Sequence, residues 1–156
     1  ITPGRNLGWY TIRDGALINV VALVQSGEWA EEGWSVPSDA ATVLRLFADA
    51  HPEFQRILRA APAGGVFRWG LFTHAPLARY SSSRVALVGD AAHPMLPFMG
   101  MGAAMAVEDG YLLARCLAEV PDAGRALRTY DRTRVGRANF VQAESAAKAA
   151  RLEGRD

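Results

Sequence analysis

A single cysteine, Cys116, is all the thiol the sequence contains. It excludes an internal disulfide and fits a reducing, cytoplasmic setting. An excess of one charge sign is missing too: 17 basic against 16 acidic side chains leave a net charge of +1. Without a strong field, neither nucleic acid nor a membrane surface is an expected partner. No apolar run approaches the roughly 18 residues of a bilayer-spanning helix. The longest weakly charged segment, Val85 to Val107, is broken by Asp90, His93, prolines and glycines. Metal-ligand spacing is also lacking, because His51 and His74 have no partner nearby in sequence, so no metal is expected. The chain starts at Ile1 with no signal-peptide pattern, and is expected to be a portion of a longer polypeptide.

What is present is ordinary globular composition, 50% hydrophobic and 21% charged over 156 residues, enough for one sizeable core. Gly8 to Ser26 reads as two strands around the turn dipeptide Asp14-Gly15. Glu28 to Pro37 reads as a loop. Ser38 or Asp39 can cap a helix running to Ala50, which His51-Pro52 stops, and a second short helix follows from Glu53 to about Ala61. Pro62 to Gly65 is a turn, and Val66 to His74 is apolar enough for a strand. Arg84 to Val88 suits a short buried strand. Met101 to Ala118 and Asp122 to Leu152 are helical, the latter with Leu127, Tyr130, Val135, Phe140 and Val141 among alanines and arginines. The order implies an α+β arrangement or the tail of a larger α/β fold.

The chemistry concentrates in Arg84 to Gly102: a buried strand ending in Gly89-Asp90, a proline-stiffened loop, then glycines opening a helix. A carboxylate just past a strand end lies where ligands bind in open α/β sheets, and it can accept hydrogen bonds from sugar-type hydroxyls. Pro94 and Pro97 fix φ and remove backbone donors. Gly100 and Gly102 permit close backbone approach, and the free N–H groups of the following helix suit partial negative charge.

GDAAHPMLPFMGMGAAMAVEDG, residues 89–110, resembles the second FAD-binding motif of the class A flavoprotein monooxygenases, a group that includes para-hydroxybenzoate hydroxylase. It is most similar to the salicylate hydroxylase and 3-hydroxybenzoate 6-hydroxylase branch. The pattern is met in order and spacing by Gly89 to His93, Pro97, Gly100, Gly102, Glu108 and Asp109. Gly8 to Arg13, Gly15, Leu17, Asn19 and Val21 resemble the strand pair before that branch's substrate site. Glu31 to Trp34 resembles the stretch after it, and Ala75 to Leu77 with Arg84-Val85 resembles the approach to the motif. Tyr130, Asp131, Arg134 and Arg137 resemble the C-terminal helix. The branch often has Gln where this chain has Met101, and Ala where it has Gly110; Met101 cannot offer amide hydrogen bonds. The family's N-terminal Rossmann glycine motif and its second, Asp-Gly motif appear nowhere, since Asp14-Gly15 has the wrong context.

The resemblance implies the C-terminal part of a para-hydroxybenzoate hydroxylase-like FAD-binding fold. Residues 1–80 are then the remainder of the substrate-binding sheet, and 81–156 the C-terminal part of the FAD domain, completed by a missing N-terminal half of the same polypeptide. It implies a cofactor set of Gly89, Asp90, Ala91, Pro97, Gly100, Met101, Gly102 and Ala103. Asp90 accepts from a ribityl hydroxyl, and Pro97 is the catalytic-site residue packed by the flavin's reactive face. The plain alternatives are a capping Asp, a turn proline and a glycine-rich loop. His93 is expected to anchor local backbone rather than act as a base, and Glu108-Asp109 to meet their helix's first turn or arginines of the last helix. Tyr10, Trp69 and Phe72, with Arg13 and Asn19, either line an aromatic substrate pocket or pack a core.

The activity implied is hydroxylation of a small phenolic or aromatic compound with FAD, NAD(P)H and O2 through a flavin C4a-hydroperoxide. A same-superfamily epoxidase or reductase acting on an isoprenoid, and a non-catalytic fragment unable to hold FAD, are the alternatives. Ser81 to Ser83 lack a nucleophile-elbow pattern, which sets a serine hydrolase aside. Oligomeric state is left open, with a homodimer among the options.

Overall fold

A computed structural model of the chain describes residues 4–26, 33 and 35–152. It divides into two compact units, one running to Gly70 and one from Leu71 to Arg151. The second unit thus begins before the division expected at 80/81. Asn139 explains why: its amide donates to Leu77 O at 2.9 Å and its carbonyl accepts from the Tyr80 hydroxyl at 2.8 Å, tying 77–80 to the last helix.

In the first unit, β1 (Arg5–Ile12) and β2 (Leu17–Val24) form an antiparallel hairpin with Tyr10 opposite Asn19 and Trp9 opposite Val20. Its turn needs left-handed backbone, which Arg13, Asp14 and Gly15 adopt at φ 52°, 54° and 88°. Glycine and aspartate accept that conformation most readily, so Asp14-Gly15 marks the turn. Strand alternation puts Trp9 and Tyr10 on opposite faces. Trp9 meets Phe54 edge-on, with ring centroids 4.7 Å apart. On the same face Arg5 holds Asp49 with two hydrogen bonds of 2.8 and 2.7 Å and donates to Leu46 O.

The helices behind that face are α1 (Ala40–Leu46) and α2 (Pro52–Arg59). Asp39 caps α1 by accepting from Thr42 N–H at 2.7 Å. α1 stops at Leu46 rather than Ala50: Phe47 leaves the helix at φ −119°, ψ 32°, and turn bonds such as Ala50 N–H to Phe47 O carry the chain to Pro52. Within the segment expected as a loop, 28–32 and Trp34 lie outside the described residues. Val36–Pro37 form β3, paired with β4 (Phe67–Arg68). The strand expected over Val66 to His74 is therefore only those two residues, since among the described residues only Val36 and Pro37 pair with it.

The second unit holds 3-10 turns at Gly89–Ala91 and Pro97–Met99, then α3 (Gly102–Glu119) and α4 (Ala123–Leu152). Its core gathers Tyr80, Ala92, Met105, Cys116, Ala126, Tyr130, Ala138 and Val141. α4 turns Ala126, Tyr130, Arg134, Ala138, Gln142, Ser145 and Ala149 inward at helical spacing. Phe140, expected among its apolar positions, is 65% exposed. The buried strand expected at Arg84 to Val88 is reduced to an isolated Ser81–Ala86 bridge, and Val85 is 59% exposed. A buried strand needs neighbours on both sides; among the described residues this one is paired only along 80–82, through Leu87 N–H to Tyr80 O and Ser82 N–H to Val85 O.

Tyr130 supports the same segment from below, its hydroxyl donating to Leu87 O at 3.0 Å. Tyr130→Phe is expected to cost about 1 kcal/mol, the usual net worth of such a bond, read as a lower urea midpoint at unchanged m-value. No helix among the described residues is long and apolar enough to cross a membrane.

Candidate functional site

Two sharp backbone reversals and one uncapped helix make the site. Val88 arrives extended (φ −137°, ψ 154°), and Gly89 at φ +56° swings the chain into the first 3-10 turn. A Cβ at Gly89 would lie 3.1 Å from Ala106 Cβ, so the turn packs directly on α3. Ala92 and His93 N–H groups donate back to Gly89 O, each at 2.9 Å. Asp90 and Ala91 are left facing out, while Gly89, Ala92 and His93 are buried.

The second reversal ends the next turn. Gly100 takes φ 64°, ψ 21°, and its N–H donates to Pro97 O at 3.0 Å. Nothing lies within 4 Å of where its Cβ would be. Met101 then precedes α3 without a side-chain cap, and the first helical backbone bond outside Gly102–Glu119 runs from Met105 N–H to Met101 O. The N–H groups of Gly102, Ala103 and Ala104 therefore have no helical acceptor. Pro97, Gly100, Ala103 and Ala104 are exposed, and Met101 and Gly102 half-buried. The result is a positive helix end with no side-chain cap.

What holds this surface is a buried ionic network. Asp109, fully buried, accepts from Gly89 N–H at 2.8 Å and from Arg134 Nε at 2.7 Å. His93 Nε2 lies 2.6 Å from the same carboxylate. That contact places the proton on Nε2 and makes His93 a donor. His93 was expected to bond backbone through its side chain; its partner is instead the Asp109 carboxylate, which accepts hydrogen bonds from His93 on one oxygen and from Arg134 on the other. Arg134 is buried as well, its Nη1 donating to Glu108 at 2.8 Å and Nη2 to Met105 O at 3.3 Å. Glu108 and Asp109 thus pair with arginines of α4, one of the two arrangements expected. Burial, then the Asp109 charge, pushes the Tyr80 phenol up to about 12 and raises Tyr130 as well, so both remain hydrogen-bond donors.

Glu108 is clamped by Arg137 through two bonds of 2.7 Å. Those bonds, with Arg134's, outweigh partial burial and hold its carboxyl at about 2 rather than 4.5. A depressed folded value stabilises above the unfolded one and is lost as pH falls through the folded one. The advantage of wild type over Glu108→Gln is therefore expected to be about 1 kcal/mol or less at neutral pH, since the clamp is partly exposed. It should shrink between pH 4.5 and 2, as read from urea midpoints at stepped pH.

The remaining candidates sit elsewhere. Tyr10 projects from the hairpin face opposite Trp9, 58% exposed, with half-buried Asn19 beside it; Arg13 is at the turn tip. Trp69 belongs to the first unit and Phe72 to the second, both exposed. His51 caps α2, its Nδ1 accepting from Glu53 N–H, and His74 Nδ1 lies 2.8 Å from Ala75 O. Among the described residues no cluster of His, Cys, Asp or Glu could hold a metal. Sequence reasoning passed over Gln142 and Ser145, which bond carbonyls before Pro97. The available signal was a polar stripe at helical spacing with Tyr130 and Arg134.

A family described as FAD binding domain matches residues 19–145. The chain is 35% identical over 144 residues to 3-amino-4-hydroxybenzoate 2-monooxygenase PtnB3 of Streptomyces platensis, covering 92% of this chain and 36% of that protein. Against salicylate hydroxylase of Pseudomonas putida it is 38% identical over 148 residues, covering 87% and 33%. Among solved structures, a salicylate hydroxylase substrate complex superposes with a TM-score of 0.80 at 31% identity, over 99% of this chain and 39% of that one. CtdE in complex with FAD and a substrate gives 0.87 at 27% identity, over 99% and 39%. The chain thus spans little more than a third of the length of these proteins.

Proposed function

The chain belongs to the FAD binding domain family of flavin-dependent aromatic monooxygenases, and on that premise we propose that it forms the C-terminal part of an enzyme hydroxylating a small phenolic compound with NAD(P)H and O2. The observation that carries this is the uncapped start of α3, opened by left-handed Gly100, together with exposed Asp90 on the 3-10 turn that packs on the same helix at Ala106. An isoalloxazine with its ribityl chain needs such a combination: a hydroxyl acceptor, a flat approach free of Cβ atoms, and N–H groups for an electron-rich edge. When bound, FAD supplies the oxygen-activating chemistry.

The chain's own residues have simpler tasks. Asp90 accepts a hydrogen bond from a ribityl hydroxyl, and Gly89 and Ala91 shape the turn that presents it. Gly102 and Ala103 direct N–H groups at the pyrimidine edge, with Gly100 and Met101 forming the approach. Pro97 offers an apolar ring and no donor, so it shields the reacting face from water. Within the first unit Tyr10 and Trp69, and within the second Phe72, each offer an exposed aromatic side chain suited to a ring-shaped substrate.

The names of the relatives favour an aromatic over an isoprenoid substrate. Because the sequence lacks a glycine motif for the ADP half of FAD, the chain by itself should bind the cofactor weakly, the rest of the site coming from the preceding part of a longer polypeptide. The test is to express that full-length polypeptide and measure NAD(P)H oxidation and product formation against panels of phenolic acids and isoprenoids. Stimulation with hydroxylated product is expected from a phenolic acid. Flavin-loaded protein that responds to isoprenoids alone would overturn the assignment.

A further inference from the structure

The loop entering the second 3-10 turn carries two prolines, and proline removes backbone donors, so its carbonyls must find donors elsewhere. They find them on α4. Gln142 Nε2 donates to Pro94 O at 3.0 Å and to His74 O at 3.1 Å. One turn on, the Ser145 hydroxyl donates to Leu96 O, the carbonyl of the peptide bond leading into Pro97. Both side chains are buried, Ser145 completely. Outside the turn's own bonds, nothing else among the described residues hydrogen-bonds the backbone of 94–99.

Gln142 shows what this arrangement is organised around. Its Oε1 is buried with no partner. A buried acceptor without a hydrogen bond is unfavourable, so the amide is oriented by the two carbonyls it serves and not by its own oxygen. The fold tolerates a bare acceptor while the amide ties the loop, at Pro94 O, to the segment at His74 O.

We propose that Gln142 and Ser145 are positioning residues for the cofactor loop: from the buried side they fix the height of Pro97, and through Gly100 the start of α3, against the flavin ring. The inference rests on the flavin reading above. Neither residue reaches the exposed surface formed by Asp90, Pro97, Gly100 and Ala103, so each acts through the backbone it holds.

Valine and threonine share one shape and differ in the hydroxyl, so Ser145→Val and Ser145→Thr add the same bulk while only threonine keeps the donor. In the full-length polypeptide, two readouts are compared: amide hydrogen exchange over 98–104, and the FAD dissociation constant by flavin fluorescence. Ser145→Val is expected to raise exchange there and weaken FAD binding by about tenfold, the loss of roughly one hydrogen bond. Ser145→Thr should stay within about twofold of wild type in both. Equal behaviour of the two variants would overturn the proposal, as a purely steric effect predicts. Where Ser145→Val does not fold, Gln142→Met removes donor and bare oxygen together; unchanged exchange over 98–104 in that variant also overturns it. If wild type binds no flavin while the exchange difference persists, the flavin reading itself fails, and the cofactor role given to these two residues fails with it.

Discussion

Arg134→Ala is expected to lower the unfolding free energy by about 3–5 kcal/mol, the cost of breaking a buried ion pair from one side. The guanidinium is fully buried and bonds Asp109, Glu108 and Met105 O at once. Removing it leaves Asp109, also fully buried, with Gly89 N–H and His93 as its remaining partners. A loss of that size is a large part of the roughly 5–15 kcal/mol that holds a domain together. Arg134→Lys keeps the charge but loses the planar fork, and should fall between wild type and alanine. The sharper comparison pairs Arg134→Met with Asp109→Asn. Deleting both charges should cost less than deleting the arginine alone, because no unpaired ion is then left inside. Urea unfolding of Arg134→Ala, Arg134→Lys, Arg134→Met and the Arg134→Met/Asp109→Asn double variant reads this directly. A loss under about 1 kcal/mol for Arg134→Ala would mean that water reaches the network.

The second large effect falls on affinity rather than stability. Asp90 is exposed, and among the described residues no hydrogen bond reaches its carboxylate. Asp90→Ala should therefore leave stability within about 0.5 kcal/mol. FAD binding should nonetheless weaken by about 10- to 100-fold, since a hydrogen bond to a charged group is worth about 1.5–3 kcal/mol. Gly100→Val is the complementary change. The left-handed backbone at φ +64° costs a branched residue about 1–2 kcal/mol, but no atom within 4 Å of the Cβ position obstructs the side chain. Its methyl groups would instead occupy the approach assigned to the ring, so affinity should fall by more than the strain accounts for. Thermal unfolding alongside FAD titration separates the two contributions. Parallel losses of stability and affinity in Asp90→Ala would indicate a structural carboxylate.

Features that rest on local backbone chemistry were legible in the sequence. Asp14-Gly15 marks a turn because of the φ values it tolerates, Asp39 marks a helix start because its side chain reaches Thr42 N–H, and Gly100 to Gly102 marks the start of α3. Features that rest on partners far along the chain were not. Val85 and Val88 belong to an apolar run that suits a buried strand, yet they lie exposed where the segment has one neighbour. Phe140 looks like core on α4, but the inward face is set by Tyr130, Arg134, Gln142 and Ser145, polar side chains buried because each finds a specific acceptor. Hydrophobic patterning cannot anticipate that, because it places polar residues outside. His93 follows the same rule: the motif locates it, whereas its partner Asp109 is found only once α3 folds back over the turn.

The most direct measurement is a crystal structure of the full-length polypeptide with FAD bound. Asp90 should lie within about 3 Å of a ribityl hydroxyl oxygen, hydrogen-bond distance, with the first N–H groups of α3 turned toward the pyrimidine edge of the ring. An isoalloxazine seated away from the Gly100 bend, with Asp90 still facing solvent, would contradict the assignment.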